Sequence, residues 1–201
     1  ARFEPDTNDT GNETPQRWRS EEHPALKLDF LISPESLEDS PEGGTIQHLE
    51  GDFAATVIPG LELAFEKPEV VTIEGHTLRG ASTTEDIQVC QPAVFIILKS
   101  LAIERRGKDK DAYDLYYTLQ KMSDGERRTA AVEIAQFLHD GSRDADDAIE
   151  YLAKHFDSPD STGPFAVSNF LRRDTDDTIL ADASAVVLDF VDDVRRAYAD
   201  G

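Results

Sequence analysis

PAVFIILKSLAIERRGKDKDAYDLYYTL, residues Pro92 to Leu119, decides how the rest of the chain is read. Its first half sets one cation, Lys99, in a run of Ala, Val, Phe, Ile and Leu, and its second half opens with Asp111 and Asp114. A helix apolar on nearly every side is a buried helix, so a lone Lys within it must reach water, a carboxylate or a phosphate. Pro92 suits a first helical position, where a missing amide has no partner to lose, and Gly107 suits a stop after Arg105 and Arg106. Asp109 or Asp111 is the expected cap of a second helix, with Tyr113, Tyr116, Tyr117 and Leu119 as its apolar face. Residues three apart share a helix side, so Asp111 and Asp114 project together. The spacing also admits a structural reading, because acids in a first turn are favoured by capping and by the helix dipole, and a Lys can snorkel to water along its stem.

KSLA with Lys99 and Ala102, the arginines of ERRGK, and DAYDLYY with Asp111 and Asp114 resemble the closing motifs of the AbiEii/AbiGii toxin family of nucleotidyltransferases, over about residues 25 to 120. The resemblance implies a polymerase-beta-like fold in which a K-x-x-A helix, a basic turn and a D-x-x-D helix close the active site. It puts Lys99 and Asp111 among the catalytic residues. Lys99, Asp114 and Arg105 would then hold the nucleoside triphosphate (NTP). It implies transfer of a nucleotide from the NTP, with Mg²⁺, to an RNA or protein acceptor, as the toxin of a toxin–antitoxin pair with a cognate antitoxin as partner.

Upstream, Leu26, Leu28, Phe30 and Ile32 alternate in the manner of a half-buried strand, with Asp29 on the other face. The resemblance implies that Asp29 is a metal-holding carboxylate with a catalytic role; a solvent-facing Asp paired with Lys27 is the other reading. Family members carry a Gly-Ser and a D-x-D before this strand, and nothing of the kind occurs in residues 1 to 28. One Asp cannot hold the cations of two-metal phosphoryl transfer alone. The expectation is therefore a truncated or degenerate member, with a non-catalytic nucleotide- or protein-binding module as the alternative. GSRDADD at 141 to 147 imitates the missing motifs, but lies between two helical patterns and reads as the acidic start of a helix.

The remaining pattern gives an α+β fold: a mixed or antiparallel β-sheet over residues 1–91, then a helical bundle over 92–201. Residues 1–24 are polar and turn-rich, anchored by Trp18, and SPESLEDSPEGG reads as a loop. Short apolar runs at Phe53–Ile58, Leu61–Phe65, Val70–Ile73 and Ile87–Cys90 read as strands, although LELAFEK also suits a helical turn. Helical stripes follow over Thr129–His139, Ala145–Phe156 and Ile179–Val194, with a turn at DSPDSTGP. His48 and His76 read as surface residues, and Cys90 as a small buried hydrophobe. The longest strictly apolar run, Ala93 to Leu98, is too short to cross a bilayer, and no secretory leader is recognised, so a cytoplasmic protein with no membrane partner is expected.

Forty-one acidic and 20 basic residues give a net charge of −21. Acids lie throughout segments that also carry periodic apolar residues, unlike the blocks of an acidic tail. DADD at 144 to 147 lacks the Gly and distal Glu of an EF-hand. Self-repulsion of this size opposes compaction in dilute buffer, and molar salt shortens the Debye length to about 3 Å and removes most of it. The acidic, Lys-poor composition thus points to a halophilic protein. Thermal stability should rise substantially from low to molar KCl; a melting temperature that is flat or falls over that range contradicts this reading.

Overall fold

The front of the chain forms short strands and the back forms helices. The computed structural model describes residues 2–8, 10–37, 45–66, 68–172 and 176–201. The chain divides into two compact units, 1–62 and 63–201, so the division falls before the paired strands of residues 69–89.

In the first unit, β1 (Phe3–Thr7), β2 (Glu13–Ser20) and β3 (Lys27–Asp29) form an antiparallel sheet in that order. The polar start of the chain is thus a β-hairpin, which its turn-rich composition concealed. Cross-strand charge supports it: Asp6 is buried and accepts from Lys27 Nζ at 2.6 Å, and Arg19 pairs with Glu4 at 2.8 Å. The second sheet holds β4 (Leu31–Ile32), β5 (Ile46–Glu50) and β6 (Phe53–Val57) in the order β4-β6-β5, with β4 parallel and β5 antiparallel to β6.

Leu26 to Ile32 is not one half-buried strand. Phe30 carries the chain from one sheet to the other: its N–H donates to Gln16 O, and its carbonyl accepts from Thr56 N. Leu26, Leu28 and Leu31 stay exposed. Phe30 meets the Phe53 ring edge-on at 4.6 Å, and Trp18 lies 6.5 Å from the same ring, so Trp18 does anchor its segment. Within SPESLEDSPEGG, Pro34–Ser36 forms a 3₁₀ turn and residues 38–44 lie outside the described residues.

The second unit begins with the single turn α1 (Leu63–Glu66), so LELAFEK is helical rather than extended. β7 (Glu69–His76) and β8 (Ser82–Val89) then pair as an isolated antiparallel hairpin. Among the described residues the strands therefore make three small sheets instead of one. Among the described residues six helices follow: α2 (Pro92–Arg106), α3 (Asp109–Lys121), α4 (Asp124–His139), α5 (Arg143–His155), α6 (Thr162–Phe170) and α7 (Asp177–Asp200). The fold is α+β, with a helical C-terminal region.

The helical core gathers Ile96, Ile97, Leu115, Leu119, Ile134, Leu152, Val187 and Phe190, all closed to solvent. α2 packs on α5, α3 on α6 and α4 on α7. The sequence read 157–164 as a turn and missed α6, whose first turn carries Gly163 and Pro164, residues that lower helix propensity. Its boundaries still obey local chemistry, since Pro is tolerated in a first turn. The GSRDADD segment is a helix start: Ser142 caps α5 by accepting from Ala145 N, and Asp144 and Asp146 occupy its first turn. No helix among the described residues is long and apolar enough to cross a membrane.

Candidate functional site

The α2–α3 hairpin forms as its sequence predicts. α2 runs from Pro92, and Gly107 ends it in the left-handed region at φ 54° with its N–H on Ile103 O. The start of α3 differs from expectation. Lys108 is the N-cap, without a side-chain bond, and Asp109 is the first helical residue, so neither Asp109 nor Asp111 caps. Nor do the tyrosines make the whole apolar face: Ala112, Leu115, Tyr116 and Leu119 are buried, while Tyr117 is exposed.

Freed from capping, Asp111 turns toward α2. Lys99 Nζ donates to Asp111 Oδ1 at 3.0 Å and to Asp114 Oδ2 at 2.6 Å. Arg106 forks onto Asp111, Nε to Oδ2 at 2.7 Å and Nη2 to Oδ1 at 2.8 Å. Lys110 adds a second ammonium to Asp114 Oδ2 at 2.6 Å. The Asp111 side chain is 2 % exposed, that of Lys99 17 % and that of Arg106 51 %, so the network runs from core to solvent. Lys99 is therefore no snorkelling lysine. It stays beneath the surface, also 5.5 Å from the Phe95 ring centroid, held by carboxylates from the next helix.

Burial alone would raise the Asp111 carboxyl, but the hydrogen bonds from Arg106 and Lys99 outweigh it and hold the group below the ordinary carboxylate value. Asp114 follows the same logic, burial against Lys110 and Lys99, and is also lowered. Arg106 is raised by Asp111. Three cations face two carboxylates, which leaves the cluster one positive charge in excess. A lysine ammonium has three donors and the carboxylates take two of Lys99's, so one proton remains for a further acceptor.

The other predicted residues make none of these hydrogen bonds. Arg105 is exposed and makes no ion pair with the described residues. Asp29 lies at the end of β3 in the first unit, half exposed, and both its oxygens accept from Arg17, at 2.6 Å and 3.0 Å. Its partner is thus Arg17, while Lys27 serves Asp6. His48 and His76 are exposed. Cys90 is half-buried, and burial pushes its thiol up, away from the reactive thiolate.

For the Mg²⁺ that the resemblance implies, the test is whether carboxylates converge with oxygens to spare. They meet cations instead: every oxygen of Asp111 and Asp29 accepts from Arg or Lys. No group of three His, Cys, Asp or Glu residues suited to a metal occurs among the described residues. These residues do not fit a resident Mg²⁺. Sequence reasoning had placed Arg106 only in a basic turn; its i+5 spacing to Asp111 across Gly107 was the available signal.

Because the folded-state pKa values of Asp111 and Asp114 are lowered, their stabilisation is complete above the unfolded value of about 3.9 and is lost as pH falls through the lower folded values. Asp111→Asn should destabilise the chain by about 1–3 kcal/mol near neutral pH, since charged hydrogen bonds from Arg106 and Lys99 are lost while both cations keep another route, water or Asp114. Denaturant unfolding measured against pH in molar KCl checks this. The variant should also show a shallower loss of stability on acidification than the parent.

Comparison with family models, with characterised proteins and with solved structures returns no match to this chain.

Proposed function

We propose that this chain is a nucleotidyltransferase-like protein, the toxin partner of a toxin–antitoxin pair, in which the α2–α3 hairpin binds the phosphates of an NTP. The observation that carries the reading is the meeting of Lys99, Asp111 and Asp114 on adjacent helices, in the K-x-x-A and D-x-x-D arrangement that the resemblance supplied. The carboxylates fix the ammonium, and its remaining proton, with Arg106 and Arg105 near the helix end, offers positive charge to a polyphosphate. Asp111 and Asp114 act as positioning residues, and Lys99 is the group that touches the ligand. In this reading the NTP arrives as its Mg²⁺ complex, so the cation is part of the substrate. Its further partners, by resemblance, are an RNA or protein acceptor and a cognate antitoxin.

The second reading is a non-catalytic nucleotide- or protein-binding module of the same fold. It is favoured by the engagement of Asp29 and Asp111 with arginines, which leaves neither poised for metal-assisted transfer. Calorimetry with ATP, CTP, GTP and UTP in molar KCl and Mg²⁺ tests both. One of the four should bind, and Lys99→Met should weaken that binding at least about tenfold, the loss expected for one charged hydrogen bond. Binding with no label transferred from an α-labelled NTP to RNA or protein supports the module, and transfer supports the enzyme. If none of the four binds, the nucleotide reading is wrong.

A further inference from the structure

A chain of hydrogen bonds away from the lysine network links three helices. Glu104 of α2 meets His155, the last residue of α5, with Oε2 at 2.5 Å from Nε2. The other ring nitrogen, Nδ1, lies 2.7 Å from Oγ1 of Thr162, the first residue of α6. A carboxylate only accepts, so Nε2 carries the hydrogen; in the neutral ring Nδ1 is then a bare acceptor, and the Thr162 hydroxyl must be the donor. That is the protonation pattern of a nucleophile, a base and an orienting carboxylate.

The surroundings suit the same chemistry. Thr162 is exposed, and all three groups line a cavity of about 440 Å³ with apolar walls from Ile103, Ala112, Phe165 and Ala166. This volume lies in the range of small-ligand sites. Thr162 and Gly163 open α6, and the first N–H groups of a helix have no partner within it, which leaves donors of the kind that stabilise a tetrahedral oxyanion. Gly163 makes the approach of α6 to α5 possible: a Cβ there would lie 2.6 Å from the Phe156 ring and 2.7 Å from the His155 carbonyl oxygen. The charged groups around the imidazole are Glu104, Lys154, which holds Glu104 at 2.9 Å, and, lining the cavity, Lys108, Asp109 and Asp160. Lys154 and His155 keep the Glu104 carboxyl below the ordinary range, so it stays an acceptor.

We propose that Thr162, His155 and Glu104 form an acyl-transfer site that hydrolyses small carboxylic esters, independently of the nucleotide reading. Thr162 Oγ1 attacks the ester carbonyl carbon and its proton passes to His155 Nδ1. The carbonyl–alkoxide bond then breaks, and the alcohol leaves with that proton. Water, deprotonated by the same nitrogen, attacks the acyl-threonine, releases the carboxylic acid and returns the proton to Thr162.

The test is hydrolysis of p-nitrophenyl acetate by the whole chain in molar KCl, with mass spectrometry of the quenched protein. The wild type should release p-nitrophenolate and carry an acetyl group on the peptide containing Thr162. Thr162→Val and His155→Gln should each lower the rate at least about 100-fold, the scale of a lost nucleophile or general base. Thr162→Ser should keep the activity, which separates loss of the hydroxyl from loss of the fold. Absence of hydrolysis by the wild type, an unchanged rate in Thr162→Val, or acetylation confined to lysines would overturn the proposal.

Discussion

An ammonium set among the buried side chains of α2 has to be neutralised where it lies, and the helical unit is arranged so that the next helix does it. Ile96, Ile97 and Leu101 bury α2 and leave Lys99 beneath the surface. Moving such a charge out of water without a partner costs several kcal/mol, comparable to the whole net stability of a domain. α3 must therefore sit where Asp111 and Asp114 reach Nζ, and the tight Gly107 turn puts it there. α5 packs on α2 and α6 on α3, and the Phe156 ring, closed to solvent, lies against Gly163 of α6.

The same constraint bears on what the hairpin can do. Carboxylates that neutralise buried cations are poor ligands for a further cation, so Asp111 and Asp114 serve Lys99 and Arg106 before anything else. What remains to offer is positive charge and one ammonium proton at the edge of the network. In a chain carrying −21 this local excess is unusual, and it suits an anionic ligand.

Much of this was legible in the sequence because local chemistry and burial agreed. Pro92, Gly107 and the i, i+3 pair of Asp111 and Asp114 fixed the helical hairpin, and the place of GSRDADD between two helical patterns, with its run of acids, exposed it as a helix start. Failures came where tertiary contacts decide. Leu26 to Ile32 alternates like one strand, yet Phe30 gives its N–H to one sheet and its carbonyl to another, which no pattern of polarity records. β1 and β2 carry too few apolar residues to announce themselves, and cross-strand ion pairs support them. Glu104, His155 and Thr162 are brought together by the packing of α2, α5 and α6, with no local signature at all.

A double-mutant cycle between Lys99 and Asp111 tests most directly whether this ion pair organises the unit. Denaturant unfolding of the parent, Lys99→Met, Asp111→Asn and the double variant in molar KCl gives their coupling energy. A buried, mutually dependent pair should show non-additivity of about 1–3 kcal/mol, with the double variant less destabilised than the sum of the singles. Additivity within about 0.5 kcal/mol would mean that the two residues contribute separately and that this ion pair does not organise the unit.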